Sequence, residues 1–192
     1  MPSQRDIKRR IESVRNTRKI TRAMELVASA KLRRAQDSMF AARPFSESLR
    51  RVMANVALRA RPELHPLLAV RPIRTVDMFV IAGDKGLAGA FNANIMRAAD
   101  HWRLEREAEG VQVRLIAVGR KVVDYYKRRP KVSVLRTLQD VKQVTYLIAQ
   151  ELAGEAERRF VAGETDAVYM AYNQFRSIIS QKVVVEPLLP LA

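Results

Sequence analysis

The first sixty residues carry a pattern of apolar and polar positions that is typical of one long helix. Between Pro2 and Pro44 the sequence contains neither proline nor glycine, the two residues that most disfavour a helix. Ser3 has the chemistry of an N-cap, and Asp6 adds negative charge to the first turn. We therefore predict one helix over residues 5–58, roughly 80 Å long at 1.5 Å per residue if Pro44 only kinks it.

The apolar positions of this predicted helix fall into three groups that do not share one face. The groups are Ile7, Ile11 and Val14; Ile20, Met24 and Val27; and Leu32, Ala35 and Met39. The first and third groups lie on similar sides, whereas the middle group is turned well away, which coiled-coil drift of about 20° per heptad does not explain. Two interpretations stay open: an amphipathic helix with an irregular stripe, or a helix contacted by different partners at different heights.

The pattern changes after a proline-rich connector. Short apolar runs predict strands over 76–82, 111–118, 132–135, 166–172 and 178–186, and helical spacing predicts helices over 91–109, 122–129 and 141–160. This alternation indicates an α/β fold, a Rossmann-like domain with a mostly parallel sheet and helices on both faces. The last two strands, joined by residues 173–177, are predicted to pair as an antiparallel hairpin.

The predicted domains are therefore a long N-terminal helix over 1–60, a connector over 61–75 and a Rossmann-like domain over 76–192. The sequence finishes in an apolar, proline-containing segment over 186–192 and offers no second long helix to pair with the first. We expect this chain to be cut before a last helical element.

The amino-acid composition limits the classes of protein to which this sequence can belong. A hydrophobic content of 48% predicts a folded chain, and no apolar run is long enough for a transmembrane helix. The start lacks the hydrophobic core of a signal peptide, so we expect a cytoplasmic protein. The absence of cysteine excludes disulfides and thiolate metal sites, and the isolated His65 and His101 predict no metal site.

Positive charge is concentrated in the predicted long helix. Residues 1–61 contain 16 Lys and Arg against five Asp and Glu, while residues 62–192 contain 19 against 15. Such a basic element attracts nucleic acid, acidic lipid or an acidic protein surface. A nucleic-acid-binding protein is therefore an alternative, although the segment has no aromatic residue before Phe40 and the sequence shows no helix-turn-helix, RNA-recognition or zinc-finger signature.

A glycine-rich loop follows the first predicted strand, where a dinucleotide-binding fold places its phosphate loop. Gly83, Gly86 and Gly89 are spaced G-x-x-G-x-x-G, which matches neither the Rossmann fingerprint nor a P-loop, and Asp84 would repel a pyrophosphate. We predict a structural glycine turn with close packing of helix on sheet, and keep a nucleotide-dependent enzyme as a third hypothesis.

The sequence gives no positive evidence that this chain catalyses a reaction. Asp124, Glu151 and Glu155 fall on predicted helices, where solvated faces explain them, and there is no G-x-S-x-G nucleophile motif. We predict no catalytic residue, no cofactor and no metal.

Several segments together resemble a known family. They are residues 3–11 (SQRDIKRRI), 20–35 (ITRAMELVASAKLRRA), 84–92 (DKGLAGAFN), 119–121 (GRK), 172–175 (YNQF) and 188–191 (LLPL). In this order and over the whole chain they resemble the gamma-subunit family of F-type rotary ATP synthases. The sequence departs from the family in having Gly83 and Lys85 around Asp84, where Ser-Asp-Arg is usual, and Ala88 where Cys is frequent. It also lacks the second long helix.

The resemblance implies a rotor shaft. The long helix would be half of an antiparallel coiled coil inside a ring of three alpha and three beta subunits, and would couple proton flow to ATP synthesis or hydrolysis by rotation. The α/β domain would hold the epsilon subunit and touch the membrane rotor ring of c subunits. The chain would be a non-catalytic, peripheral subunit at the cytoplasmic face of the bacterial plasma (inner) membrane, with no nucleic-acid partner.

The resemblance also implies contact residues. Thr21, Met24, Lys31, Arg33 and Arg34 fall in the segment that would meet the acidic lever region of the beta subunits. Another three, Lys8, Arg9 and Arg10, would lie in the same zone or just below it. A basic shaft beside an acidic lever is expected to act through steering and general attraction rather than through fixed pairs.

Overall fold

The computed structural model describes residues 3–59, 65–141, 144–177 and 180–191. The first part of the predicted connector, 60–64, and the first two residues of the last predicted strand, 178–179, lie outside the described residues. The chain forms two compact units, Met1–Asn55 and Val56–Ala192.

Helix α1, Gln4–Arg59, is continuous over 56 residues with Pro44 inside it, which confirms the predicted long helix. At 1.5 Å per residue it is roughly 84 Å long. Ser3 caps its N-terminus, as predicted: Asp6 N donates to Ser3 Oγ at 3.3 Å. The cap is also reciprocal, which was not predicted, because Ser3 N donates to the Asp6 carboxylate at 3.1 Å. The bonds from the Ser3 side chain and backbone hold the pKa of Asp6 below its ordinary value.

The second unit is built around a five-stranded sheet. Its elements are a 3₁₀ turn Pro66–Leu68, β1 Thr75–Ile81, α2 Phe91–Ala108, β2 Gln112–Val118, α3 Arg120–Lys127, β3 Ser133–Leu138, α4 Tyr146–Val161, β4 Ala167–Phe175 and β5 Gln181–Leu189. The strand order is β3-β2-β1-β4-β5. The first four strands pair in parallel and β5 pairs antiparallel to β4, which confirms the predicted α/β class and the final hairpin.

Alternating strand residues point to two cores, one on each face of the sheet. On one face α2 and α3 cover Met78, Leu115 and their neighbours. On the other face α4 and the 3₁₀ turn cover Phe79 and Ile116, with Phe160 at the centre of the cluster. The central strand β1 is buried on both sides, as the continuous apolar run predicted.

Some predicted boundaries are wrong. The helix predicted over 141–160 begins only at Tyr146, because Thr145 adopts an extended conformation with φ −112° and ψ 160°, and Val144 lies outside the helix. Residues 173–175, predicted as a connection, continue β4, and residues 187–189, predicted as part of an apolar tail, continue β5. Strand β4 is longer than predicted, and β5 lies three positions later than predicted with the same length, because the antiparallel pairing extends from Phe175 opposite Gln181 to Val168 opposite Leu189.

A charged residue is fully buried in the central strand. Asp77 accepts one hydrogen bond from Arg114 Nε and another from Arg159 Nε, and each donor–acceptor distance is 2.8 Å. Its backbone N–H donates to the buried Thr165 hydroxyl over 3.1 Å. Arg159 also pairs with Glu164 at 2.8 Å, so four charged groups are held where β1, β2 and the end of α4 meet. The bond to Asp77 is the main cause that raises the pKa of Arg159.

Gly119 joins β2 to α3 in a conformation that other residues rarely adopt. Its φ is +102° and its ψ is 139°. A Cβ at this position would lie 2.2 Å from the carbonyl oxygen of Ala82, which belongs to the chain just after β1. Glycine is therefore required both for the backbone conformation and for the close approach of two strand ends.

We predict that Asp77→Asn lowers the free energy of unfolding by about 2–4 kcal/mol, because Arg114 loses its charge partner and Arg159 loses one of its two. Urea unfolding followed by the fluorescence of Trp102, which packs against Tyr169, measures this change. The matched control is Asp140→Asn in the exposed pair with Arg120, expected to cost about 0.5 kcal/mol or less. Equal effects of the two substitutions would contradict the prediction.

We also predict that Gly119→Ala costs more than about 3 kcal/mol in the same assay, since a positive φ is combined with a clash against backbone. Gly110→Ala is the control: Gly110 has φ +85° but nothing within 4 Å of an added Cβ. It should cost only the roughly 1–2 kcal/mol of the left-handed conformation. A Gly119→Ala chain as stable as the Gly110→Ala chain would show that Ala82 moves away freely.

Candidate functional site

The surface of α1 carries a long series of exposed apolar side chains. The large apolar side chains that are exposed on this helix are those of Ile7, Ile11, Val14, Ile20, Met24, Leu26, Val27, Leu32, Phe40, Phe45, Leu49, Val52, Met53 and Val56. Within the described part of this helix no residue is buried. A helix on the surface of its own domain normally covers its apolar stripe. The apolar surface of α1 is thus available to a partner.

The charges of α1 are also available. Within residues 3–59 the only ion pair joins Arg22 and Glu25, at 2.8 Å. The Arg43 guanidinium lies 5.4 Å from the centre of the Phe40 ring. The remaining Lys and Arg side chains of this stretch project into solvent without a carboxylate partner, so their field can act on another molecule.

All eight residues expected to contact a partner lie on α1 and all are exposed. At 3.6 residues per turn, Arg10, Thr21, Met24 and Lys31 fall within an arc of about 80°. The other four lie elsewhere on the circumference: Arg9 and Arg34 on one flank, and Lys8 and Arg33 near the opposite side. The structure thus brings four of the eight onto one face and separates the rest.

Two members of the shared face differ in how they can interact. The Thr21 hydroxyl donates to backbone carbonyls of its own helix, Thr17 O and Arg18 O, each over 3.0 Å. It therefore has little capacity left as a donor to a partner. The Met24 side chain is 54% exposed and offers a flexible apolar surface.

The glycine loop lies at the carboxyl edge of the parallel strands. Gly83 N donates to Asn92 Oδ1 over 2.8 Å, and Asn92 Nδ2 donates to Lys85 O over 3.2 Å, so the first turn of α2 holds the loop. Gly86 lies beside the Lys121 side chain, and Gly89 has φ +54°. These contacts attach the loop between β1 and α2 to the first turn of α2 and to the start of α3.

Asp84 joins this loop to its neighbours. One carboxylate oxygen, Oδ1, accepts from Arg120 N over 2.7 Å at the start of α3 and from Asp140 N over 3.2 Å after β3. Arg120 in turn pairs with the Asp140 carboxylate. The carboxylate thus occupies the anion position at the N-terminus of α3. At the tip of the loop Leu87 has φ 62° and is 98% exposed.

Two carboxylates expected to be solvated have a partner. Arg136 of β3 donates to Glu155 over 2.5 Å and also to Glu151, which ties the edge strand to α4. These two hydrogen bonds raise the pKa of Arg136, and the bond to Glu151 has the largest effect.

The described residues contain no group of three or more His, Cys, Asp or Glu that could hold a metal ion. None of the helices in the described part is apolar enough over a sufficient length to cross a membrane.

Sequence reasoning missed the polar contacts that hold the second unit together. Asp77 stands inside an apolar strand, and this isolated charge was a signal that could have been followed. Arg71, in the connector, contacts Phe160 and Asp166, which are distant in sequence, and no local pattern marks such contacts.

Comparison with known proteins gives a consistent result. A family model described as ATP synthase matches residues 3–192. The ATP synthase gamma chain of Anaeromyxobacter sp. (strain Fw109-5) is 44% identical over 195 residues, covering 100% of this chain and 67% of the relative. That of Aquifex aeolicus (strain VF5) is 42% identical over 190 residues, covering 98% and 65%. The chain thus spans about two thirds of the length of these relatives.

The fold has a counterpart among solved structures. A chain of the cryo-EM structure of the Tetrahymena thermophila mitochondrial ATP synthase central stalk and c-ring aligns with a TM-score of 0.70. The alignment covers 89% of this chain and 72% of that chain at 23% identity, which shows a shared fold. From the family match over residues 3–192 and the identity to its curated relatives, the chain belongs to the ATP synthase gamma chain family.

Proposed function

We propose that this chain is the rotor-shaft part of a central-stalk gamma subunit, with α1 forming half of an antiparallel coiled coil. The observation that carries the proposal is a continuous 56-residue helix whose large apolar side chains are exposed. Burial of such side chains against a second helix and a surrounding ring would stabilise the shaft by roughly 1.5–3 kcal/mol for each one fully buried.

The proposed action is mechanical. Proton flow through a membrane ring of c subunits turns the shaft, and the shaft drives the beta subunits in turn through open and closed nucleotide states. The irregular apolar stripe suits this task, because a rotating asymmetric shaft presents different surfaces to identical neighbours. The chain itself is proposed to be non-catalytic and to act without cofactor.

The proposed partners are three alpha and three beta subunits, the epsilon subunit and the c ring. The proposed location is peripheral, at the cytoplasmic face of the bacterial inner membrane, and it is supported by bacterial relatives and by the absence of a spanning helix from the described residues. We propose the domain organisation 1–60 for the shaft helix, 61–75 for the connector and 76–192 for the Rossmann-like domain. Gly83, Gly86 and Gly89 are assigned to a structural turn.

The proposed contact with the acidic lever region of the beta subunits uses the basic residues of α1 and the Met24 surface. The arc shared by Arg10, Thr21, Met24 and Lys31 supports a main contact face. Arg33 and Arg34 extend the basic surface around the helix, so a lever would meet positive charge at several rotation angles. The comparisons lend no support to the alternative of a nucleic-acid-binding protein.

We predict that Met24→Lys uncouples rotation from synthesis more than it affects folding. The side chain is exposed, so the folded subunit tolerates a lysine, but the added charge would form an attachment to the acidic lever that must break at every step. Protons pumped per ATP hydrolysed by the assembled enzyme should fall, while the free energy of unfolding changes by about 0.5 kcal/mol or less. Met24→Gln, of similar length and no charge, is the control. Unchanged pumping per ATP in the lysine variant would refute the prediction.

We further predict that Arg33→Gln combined with Arg34→Gln weakens association of the subunit with the alpha–beta head by roughly fivefold at low salt. The difference from wild type should disappear in concentrated salt, because exposed charges are screened. Arg50→Gln combined with Arg51→Gln removes the same charge farther along the same helix and serves as the control. If both double variants weaken association equally, net charge rather than a local lever contact is responsible.

A further inference from the structure

The turn between α3 and β3 concentrates positive charge. Residues 127–131 read KRRPK, so all but one of these consecutive side chains are cationic. The backbone closes the turn, because Arg129 N donates to Tyr126 O over 2.9 Å and Val132 N donates to Arg129 O over 3.0 Å. The cations, together called the basic turn, are Lys127, Arg128, Arg129 and Lys131. Arg129 is half-buried and the others are exposed.

The basic turn differs from most arginines of the α/β unit in having no carboxylate partner. The arginines of that unit that pair with Asp or Glu are Arg71, Arg103, Arg106, Arg114, Arg120, Arg136 and Arg159. Within the described parts of the chain, no cation of the basic turn lies within ion-pair distance of a carboxylate. Its charge is therefore not neutralised there and can attract an anion.

Arg129 is held in position without being neutralised. Its guanidinium lies 3.5 Å from the centre of the Tyr125 ring, and its Nη1 donates to the Tyr125 carbonyl over 3.0 Å. Tyr125 is itself fixed, since its hydroxyl donates to Asp100 over 2.6 Å. The bond to the carbonyl uses one of the five guanidinium N–H donors. A guanidinium positioned in this way loses less conformational freedom on binding an anion, and its planar fork matches a phosphate group.

An apolar cleft adjoins the basic turn. It lies between α3 and the edge strand β3 and has a volume of about 280 Å³. Its lining includes Val123 and Tyr126 of α3, Val134 of β3, and the two cations Lys127 and Arg129. Pockets that enclose a drug-sized ligand have volumes of roughly 300–1,000 Å³, so this cleft has room for only part of such a molecule. The site therefore combines a small apolar surface with positive charge.

A ligand that uses both features carries an anionic group and a hydrocarbon part. Clusters of Lys and Arg are a common recognition element for the headgroups of acidic lipids. An acidic protein surface fits the site less well. Within the described residues 120–134 no large apolar side chain is exposed, so the turn lacks the apolar anchors on which protein interfaces centre. An acidic phospholipid supplies phosphate and hydrocarbon in one molecule.

We propose that the basic turn and the adjoining cleft form a binding site for an acidic phospholipid. Arg129 and Lys127 bind the phosphate, the other two cations of the turn add to the attraction, and a short stretch of acyl chain lies against Val123 and Val134. The proposed peripheral location at a membrane would supply the lipid. The site itself lies wholly within the α/β unit, so binding does not depend on the rotor function.

The test is an NMR titration of the purified chain with dihexanoyl phosphatidylglycerol. The amide signals of Val132 and Thr137, which both line the cleft, report binding at this site separately from any binding to the basic helix α1. Glycerophosphoglycerol offers the same headgroup without acyl chains, and dihexanoyl phosphatidylcholine offers the same chains without net charge. A hexaglutamate peptide represents an acidic protein surface.

We expect phosphatidylglycerol to bind roughly tenfold more tightly than its bare headgroup, a factor that about two buried methylene groups supply. It should also bind more tightly than phosphatidylcholine and the peptide, because only it combines negative charge with acyl chains.

Two double variants locate the site. Lys127→Gln combined with Lys131→Gln should weaken binding roughly tenfold or more, because each basic residue near an acidic headgroup contributes to affinity. Both lysines are exposed, so this variant is expected to fold. Arg158→Gln combined with Lys182→Gln removes the same charge from exposed positions on α4 and β5 and should bind as wild type. Arg129→Lys keeps the charge but loses the planar fork, and should weaken binding by a smaller factor.

Several results would overturn the proposal. Equal affinity for the lipid and its bare headgroup would indicate a general anion site, and equal affinity for the acidic and neutral lipids would remove the role of charge. Tighter binding of the peptide would indicate an acidic protein partner, and equal losses in the two double variants would indicate net charge alone. Unshifted Val132 and Thr137 signals would show that no lipid binds there. Failure of the rotor function is distinguishable, since it would appear as a subunit that does not join the alpha–beta head.

Discussion

The exposed apolar surface of α1 is the feature that sets this chain apart from an ordinary α/β protein. A helix of 56 residues is maintained locally by a sequence of good helix formers without glycine, and by a reciprocal cap at its start. Most of its large apolar side chains remain exposed within the described helix, although each could contribute roughly 1.5–3 kcal/mol if fully buried. Most of the stabilisation available to this element must therefore come from contacts with other polypeptide surfaces.

The α/β unit has the opposite design, since its stability comes from its own core and its polar groups are bonded at both edges of the sheet. At the amino edge Asp77 holds two arginines, and Asp166 holds the connector backbone. At the carboxyl edge Asp84 holds the starts of α3 and of the loop after β3. A rigid body of this kind suits a component that receives force, because packed cores and satisfied polar networks resist deformation.

Each carboxylate of this unit whose contacts are described above thus has a structural role, as a partner in an ion pair or a hydrogen bond. The glycine loop illustrates this point: the position that a phosphate could occupy at the N-terminus of α3 is taken by the chain's own Asp84. Arg136 uses Glu151 and Glu155 in the same way, to fasten an edge strand to a helix. Charge on α1, by contrast, is almost entirely unpaired within the described helix and is directed outward.

Local information in the sequence determined the long helix, its cap, the order of strands and helices, and the parallel sheet with a final hairpin. Those features follow from periodicity, breakers and capping residues, which act over a few positions. The tertiary structure decided the true start of α4 at Tyr146, the extra length of β4, the shifted position of β5, and the contacts of Asp77 and Arg71. Arg71 and Phe160 are separated by 89 positions, so only the folded sheet, with its crossover helix on one face, brings them together.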